Sequence, residues 1–129
     1  MELGIGTRLT APFDDTVERT RKALHEQGFG VLTEIDMQAT LQAKIGEDIG
    51  RYLILGACNP QLAHRAVGVN RQIGLLLPCN VVVREDGGDV VVEAMNPELM
   101  VQVSGDPELR SVADDATARL RSAIATLAG

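Results

Sequence analysis

The stretch from Asn80 to Met95 constrains this chain more than any other. Asn80–Arg84 and Val90–Met95 are rich in valine, and Glu85-Asp86-Gly87-Gly88-Asp89 lies between them. β-Branched side chains suit a pleated surface, and the glycines accept the positive φ of a tight turn, so the segment predicts a β-hairpin. A hairpin pairs its strands antiparallel, and the fold built around it is expected to contain a mostly antiparallel sheet.

The rest of the chain supplies partners for that sheet. Leu3, Ile5, Thr7 and Leu9 alternate with Gly4, Gly6 and Arg8, predicting a first strand. Pro12 can open a helix. Phe13, Val17, Thr20 and Leu24 then recur on one face, opposite Glu18, Arg19, Arg21 and Lys22. A helix over 13–27 follows, stopped by Gly28. Residues 29–35 read as a second strand. Asp36 is placed to cap a short helix whose buried stripe is Met37, Leu41 and Ile45, closed by Gly46 and Gly50. Residues 52–57 predict a third strand.

Asn59-Pro60, Asn96-Pro97 and Asp106-Pro107 repeat one device. The polar side chain accepts from free backbone N–H groups, and the proline needs no N–H in a first turn. The first copy predicts a helix over 60–70 with Leu62, Ala66 and Val69 facing inward. The second starts a helical turn through Leu99 and Met100. The third opens a last helix burying Leu109, Val112, Ala113, Ala116, Leu120, Ala123, Ile124 and Leu127. Ile73–Val83 is nearly apolar apart from Pro78 and Asn80; it is too short to span a bilayer and reads as buried strand. No linker or repeat interrupts the 129 residues, which predicts a single α+β domain over 1–129.

Composition excludes some partners. Aromatics make up only 2% with no tryptophan, so the core must be aliphatic. The formal net charge is -6, from 18 acidic and 12 basic residues, and the basic residues form no stripe. Nucleic acid and anionic membranes both demand a cationic footprint, so neither is an expected partner. The first residues lack a cationic start followed by an apolar run, which reads as no signal peptide. A cytoplasmic location with reduced thiols, and no structural disulfide, is the resulting expectation.

Candidate chemistry centres on two cysteines in similar settings, Cys58-Asn59-Pro60 and Pro78-Cys79-Asn80. Cys58 immediately precedes a predicted helix N-terminus, where free N–H groups and the helix dipole favour a thiolate. Asn59 either orients that thiol or merely caps the helix, and Cys58 itself equally reads as a small core residue. Cys79 has no helix start behind it and reads more as structural. If the strands ending at Cys58 and beginning at Cys79 are antiparallel neighbours, the thiols share one end of the sheet. Parallel strands would hold them about 20 Å apart.

His64, one turn into the helix after Cys58, is the imidazole placed to assist; His25 reads as solvated. Cys58, Cys79, His64 and a carboxylate match no zinc spacing, so no metal is expected. Glu34 stands in an otherwise apolar strand and is the carboxylate best placed for acid–base work, with an exposed strand end as the plainer reading. Gly28-Phe29-Gly30 follows a helix rather than preceding one and is not a phosphate loop. No cofactor motif is present.

Three segments carry a resemblance. Gly28–Asp36, Leu55-Gly56-Ala57-Cys58-Asn59-Pro60 and Gly74–Val83, with Ala94-Met95-Asn96-Pro97 in the same order, resemble signatures of the bacterial and archaeal family named domain of unknown function 302. The resemblance spans nearly the whole chain; Pro12 stands where relatives often have a polar helix cap. It implies a curved antiparallel sheet packed on helices, of the TATA-binding-protein-like class, and a homodimer. It supplies no catalytic roles.

These readings converge on a small binding domain. A concave sheet surface formed by strands 29–35, 52–58 and 79–84 is expected to hold a small molecule or a second copy. Glu34, Cys58, Asn59, His64, Cys79 and Asn80 are its candidate ligand-binding residues. Thiol redox or sulfur transfer by Cys58, helped by Cys79 or His64, is the alternative. A purely structural dimeric module is the third reading.

Overall fold

The computed structural model describes residues 2–128. Among them, β1 (Gly4–Leu9), β2 (Gly30–Asp36), β3 (Tyr52–Cys58), β4 (Cys79–Asp86) and β5 (Asp89–Met95) form one sheet in the order β1-β5-β4-β3-β2. All four neighbouring pairs are antiparallel. The helices are α1 (Phe13–Glu26), α2 (Met37–Ile45), α3 (Pro60–Val69), α4 (Glu98–Ser104) and α5 (Arg110–Ala128), with 3-10 turns at Arg71–Leu76 and Pro107–Leu109. The architecture is α+β, as expected.

The hairpin closes as its residues require. Asp86 pairs with Asp89 across Gly87 and Gly88, whose φ values are 59° and 94°. Arg8 of β1 then ties the turn to the sheet edge, donating to Asp86 Oδ2 at 2.5 Å and Asp89 Oδ2 at 3.4 Å. All three cap devices act as read. Asn59 Oδ1 accepts from Leu62 N–H, Asn96 Oδ1 from Glu98 N–H, and Asp106 Oδ1 from Glu108 N–H.

Strand alternation sorts the core. Leu53, Leu55 and Ala57 of β3, Val81 and Val83 of β4, and Val90, Val92 and Ala94 of β5 bury one face of the sheet. Phe13, Val17 and Leu24 of α1 cover it together with Leu120, Ala123 and Leu127 of α5. A second cluster lies apart, built from Leu62 and Ala66 of α3, Ile73, Met100 of α4, Leu109, and Val112, Ala113 and Ala116 of α5. Helix α5 therefore serves two cores, its first half one and its second half the other.

Three expectations need correction. Ile73–Leu76 is a 3-10 turn rather than strand; Asn70 Oδ1 caps it by accepting from Gln72 N–H at 3.0 Å. The strand begins only after Pro78, which has no N–H to donate to a ladder. The Met37-Leu41-Ile45 stripe of α2 is not buried: no residue of that helix is, and Ile45 is 66% exposed. Its spacing is helical, but Met37 and Leu41 reach only half-burial against the sheet and Ile45 projects beyond it. The expected apolar lining from 29–35 is narrower than read, because β2 is an edge strand whose side chains are exposed or half-buried, and the stretch contributes to a cavity only through Phe29 and Leu32.

Gly56 marks the tightest approach in the sheet. A Cβ built there would overlap Thr33 Oγ1 and lie 2.9 Å from Pro78 Cγ. We predict that Gly56→Ala lowers unfolding free energy by about 1–3 kcal/mol in denaturant titration. Adding Thr33→Ala should return part of that loss, and equal stability of the single and double variants would refute the packing argument.

Candidate functional site

Where α5 passes from one cluster to the other, the end of β3 and the start of β4 leave a cavity of about 270 Å³. Phe29 and Leu32 wall it on the β2 side. Ala57, Cys58 and Asn59 contribute from the β3–α3 turn, and Leu62, Ala63 and Ala66 from α3. Leu77, Pro78, Cys79 and Met100, with Val112 and Ala116 of α5, complete it. The space has a cause in the sequence: four wall residues are alanines, on inward faces where leucine or valine would fill the volume. A closed void of this size would forfeit roughly 6 kcal/mol of packing, and opening at the surface reduces that cost.

The β3–β4 register brings the thiols to this wall. Ala57 stands opposite Cys79 across antiparallel strands, so Cys58 and Cys79 share one end of the sheet, and both line the cavity as free thiols. Cys79 is only 7% exposed. Burial pushes its pKa up to about 11, and neighbouring Cys58 adds to the shift. At neutral pH it is a neutral thiol, a weak nucleophile and an apolar wall group.

Asn59 is buried, and each end of its amide is hydrogen-bonded. Its Oδ1 caps α3 through Leu62 N–H at 3.2 Å, and its Nδ2 donates to the Gln27 carbonyl at 3.4 Å. Arg119 of α5 donates to the same carbonyl at 3.2 Å. This clamp joins the end of α1, the start of α3 and the middle of α5. Gly28 makes room for it: its φ is +85°, and a Cβ there would sit 2.9 Å from Asn59 Nδ2. Asn59 thus shapes the site by capping, with both its Oδ1 and its Nδ2 bonded to backbone groups rather than to a thiol.

The other candidates lie elsewhere, and the six do not form one patch. Glu34 is half-exposed and paired with Arg21 of α1 in a separate polar cleft that also holds Asp14, Asp36 and Arg51. Its strand position faces α1 rather than the cavity. His64, read as placed to assist Cys58, is instead exposed on α3 and outside the cavity wall, because it lies off the Leu62–Ala66 face. Asn80 follows Cys79 but points to the opposite side of β4, into a groove with Tyr52, Val82 and Met95. His25 is exposed near the end of α1. No group of three or more metal-ligating side chains occurs among the described residues. Sequence reasoning missed Met100 and Ala116, whose apolar character reads as ordinary core.

Cys79 gives the site a pH signature. Its folded pKa lies above its ordinary value of 9.0, so the neutral thiol's contribution is complete below about 9 and is lost as pH rises toward about 11. Unfolding free energy of the wild type should therefore fall more steeply over that window than that of Cys79→Ala. Parallel curves in paired denaturant titrations would show that burial does not hold this thiol neutral.

Comparison with known proteins places this geometry in a family. The profile described as Domain of unknown function DUF302 matches residues 5–127. A crystal structure of an uncharacterized conserved protein DUF302 from Bacillus stearothermophilus superposes with a TM-score of 0.91, covering 98% of both chains at 29% sequence identity. A search of curated proteins found no match. With the fold and nearly all of its sequence accounted for, the chain belongs to the DUF302 family.

Proposed function

We propose that this domain binds a small, uncharged, apolar molecule in the cavity at the β3–α3 turn. The carrying observation is the wall itself: among the described residues, no charged side chain lines it, and both polar ends of its Asn59 are engaged. A charged ligand would lose hydration there without gaining a partner. A dry cavity of about 150 Å³ accepts benzene, so one of about 270 Å³ scales to a ligand of roughly ten carbon atoms. The thiol alternative has less support, because Cys79 is held neutral and His64 stands outside the wall.

A second reading concerns partners. The sheet face away from α1 and α5 carries Tyr52, Ile54, Val82 and Met95, all half-exposed. Its charges balance locally: Arg8 pairs with Asp86, and Arg84 with Glu93 at 3.1 Å. Two copies, each with formal charge -6, would meet there without like charges opposed. We infer a homodimer through this face. Sedimentation should give a dimer that Val82→Lys converts to monomer; a wild type that is monomeric at every concentration excludes it.

Naphthalene is the probe for the cavity. In a two-dimensional NMR titration, signals of Ala57, Cys58, Ala66 and Ala116 should shift together, and Ala66→Phe or Ala116→Leu, checked as folded by circular dichroism, should abolish the shifts. Shifts that survive in both folded variants, or none in the wild type, would remove the binding reading.

A further inference from the structure

Leu32 is out of keeping with its surroundings. It is a large apolar side chain, 68% exposed on an edge strand, yet it forms part of the cavity wall. The register explains how. Val31 pairs with Ala57 and Thr33 with Gly56, so Leu32 has no partner of its own on β3. The extra residue of a β-bulge leaves the ladder, and the bend re-aims its side chain. Here the bend turns Leu32 from the strand's regular alternation toward the end of β3.

The bulge is held in place by close packing. Thr33 resumes pairing directly over Gly56, where only a hydrogen leaves room for the Thr33 hydroxyl and the Pro78 ring. On the other side Phe29 is buried, 2% exposed, in the same wall. Leu32 is thus anchored between two fixed points while its own side chain stays largely in water. A side chain so placed gains burial only when something apolar comes to lie beneath it.

We propose that Leu32 closes the cavity mouth over the bound molecule and so sets how long that molecule is retained. This inference rests on the cavity being a binding site. Its contribution falls on dissociation rather than association, because an exposed leucine does not block entry but adds apolar contact once the site is filled. Being exposed, the side chain contributes little to the stability of the unliganded fold.

The test compares wild type, Leu32→Ala and Leu32→Met with naphthalene, reading dissociation rates by NMR exchange and melting temperature in parallel. Leu32→Ala should dissociate roughly tenfold faster with an unchanged melting temperature, and Leu32→Met should restore near wild-type retention. If wild type binds and Ala66→Phe blocks binding, but Leu32→Ala dissociates at the wild-type rate, the mouth assignment is wrong and the cavity reading stands. If Leu32→Ala instead lowers the melting temperature and leaves dissociation unchanged, Leu32 is a packing residue and the proposal also fails. No binding by the wild type removes the cavity reading and this inference with it.

Discussion

Helix α5 is the member on which the rest of the molecule depends. Its apolar stripe is divided: Val112, Ala113 and Ala116 belong to the cluster with α3 and α4, whereas Leu120, Ala123 and Leu127 belong to the cluster under the sheet. One rigid helix therefore fixes the spacing of two cores, at about 6 Å for each four residues. The Gln27 carbonyl, shared by Asn59 and Arg119, pins the β3–α3 turn to the same helix. Flexible connections would let the clusters collapse together. This arrangement keeps them apart, and the cavity is the space that results.

The cavity's chemistry follows from who lines it. Alanines set the volume, Phe29, Leu62 and Met100 supply apolar surface, and Cys58 and Cys79 add small, soft sulfur groups, the Cys79 thiol being held neutral by burial. The charged residues are spent elsewhere, in exposed pairs such as Arg65–Asp115 and Arg51–Asp14, which orient surface side chains and contribute little to stability. The -6 charge thus surrounds, and does not enter, the site. Selection within it can operate only through shape and hydrophobicity.

Much of the fold was legible because local chemistry agreed with the global arrangement. The Gly87-Gly88 turn, the three cap-and-proline starts and the α1 and α5 stripes each specify one conformation, and each is found. The first part of the apolar run, Ile73–Leu76, was not legible as a turn, since leucines and isoleucine without periodicity suit a buried turn as well as a strand, whereas Cys79–Val83 is strand as read. The Met37-Leu41-Ile45 stripe shows a different limit: spacing reveals a face but not whether anything packs on it. For the site, antiparallel pairing of β3 and β4 brought Cys58 and Cys79 together as the sequence suggested. The bulge at Leu32 and the alanine-lined gap left no local signature, because both arise from register and from contacts across clusters. Glu34 stood out in sequence for its apolar neighbours, yet Arg21 lies 13 residues earlier and reaches it only through the packing of α1 on the sheet.

The central claim is that two cores sharing one helix leave an accessible apolar chamber at the β3–α3 turn. A crystal structure determined under xenon pressure tests it most directly, since xenon enters dry apolar cavities and is repelled by polar ones. Xenon density among Phe29, Ala66, Met100 and Ala116 is the expected result. Side chains closed over that volume, or ordered water filling it while xenon binds only elsewhere, would contradict the account.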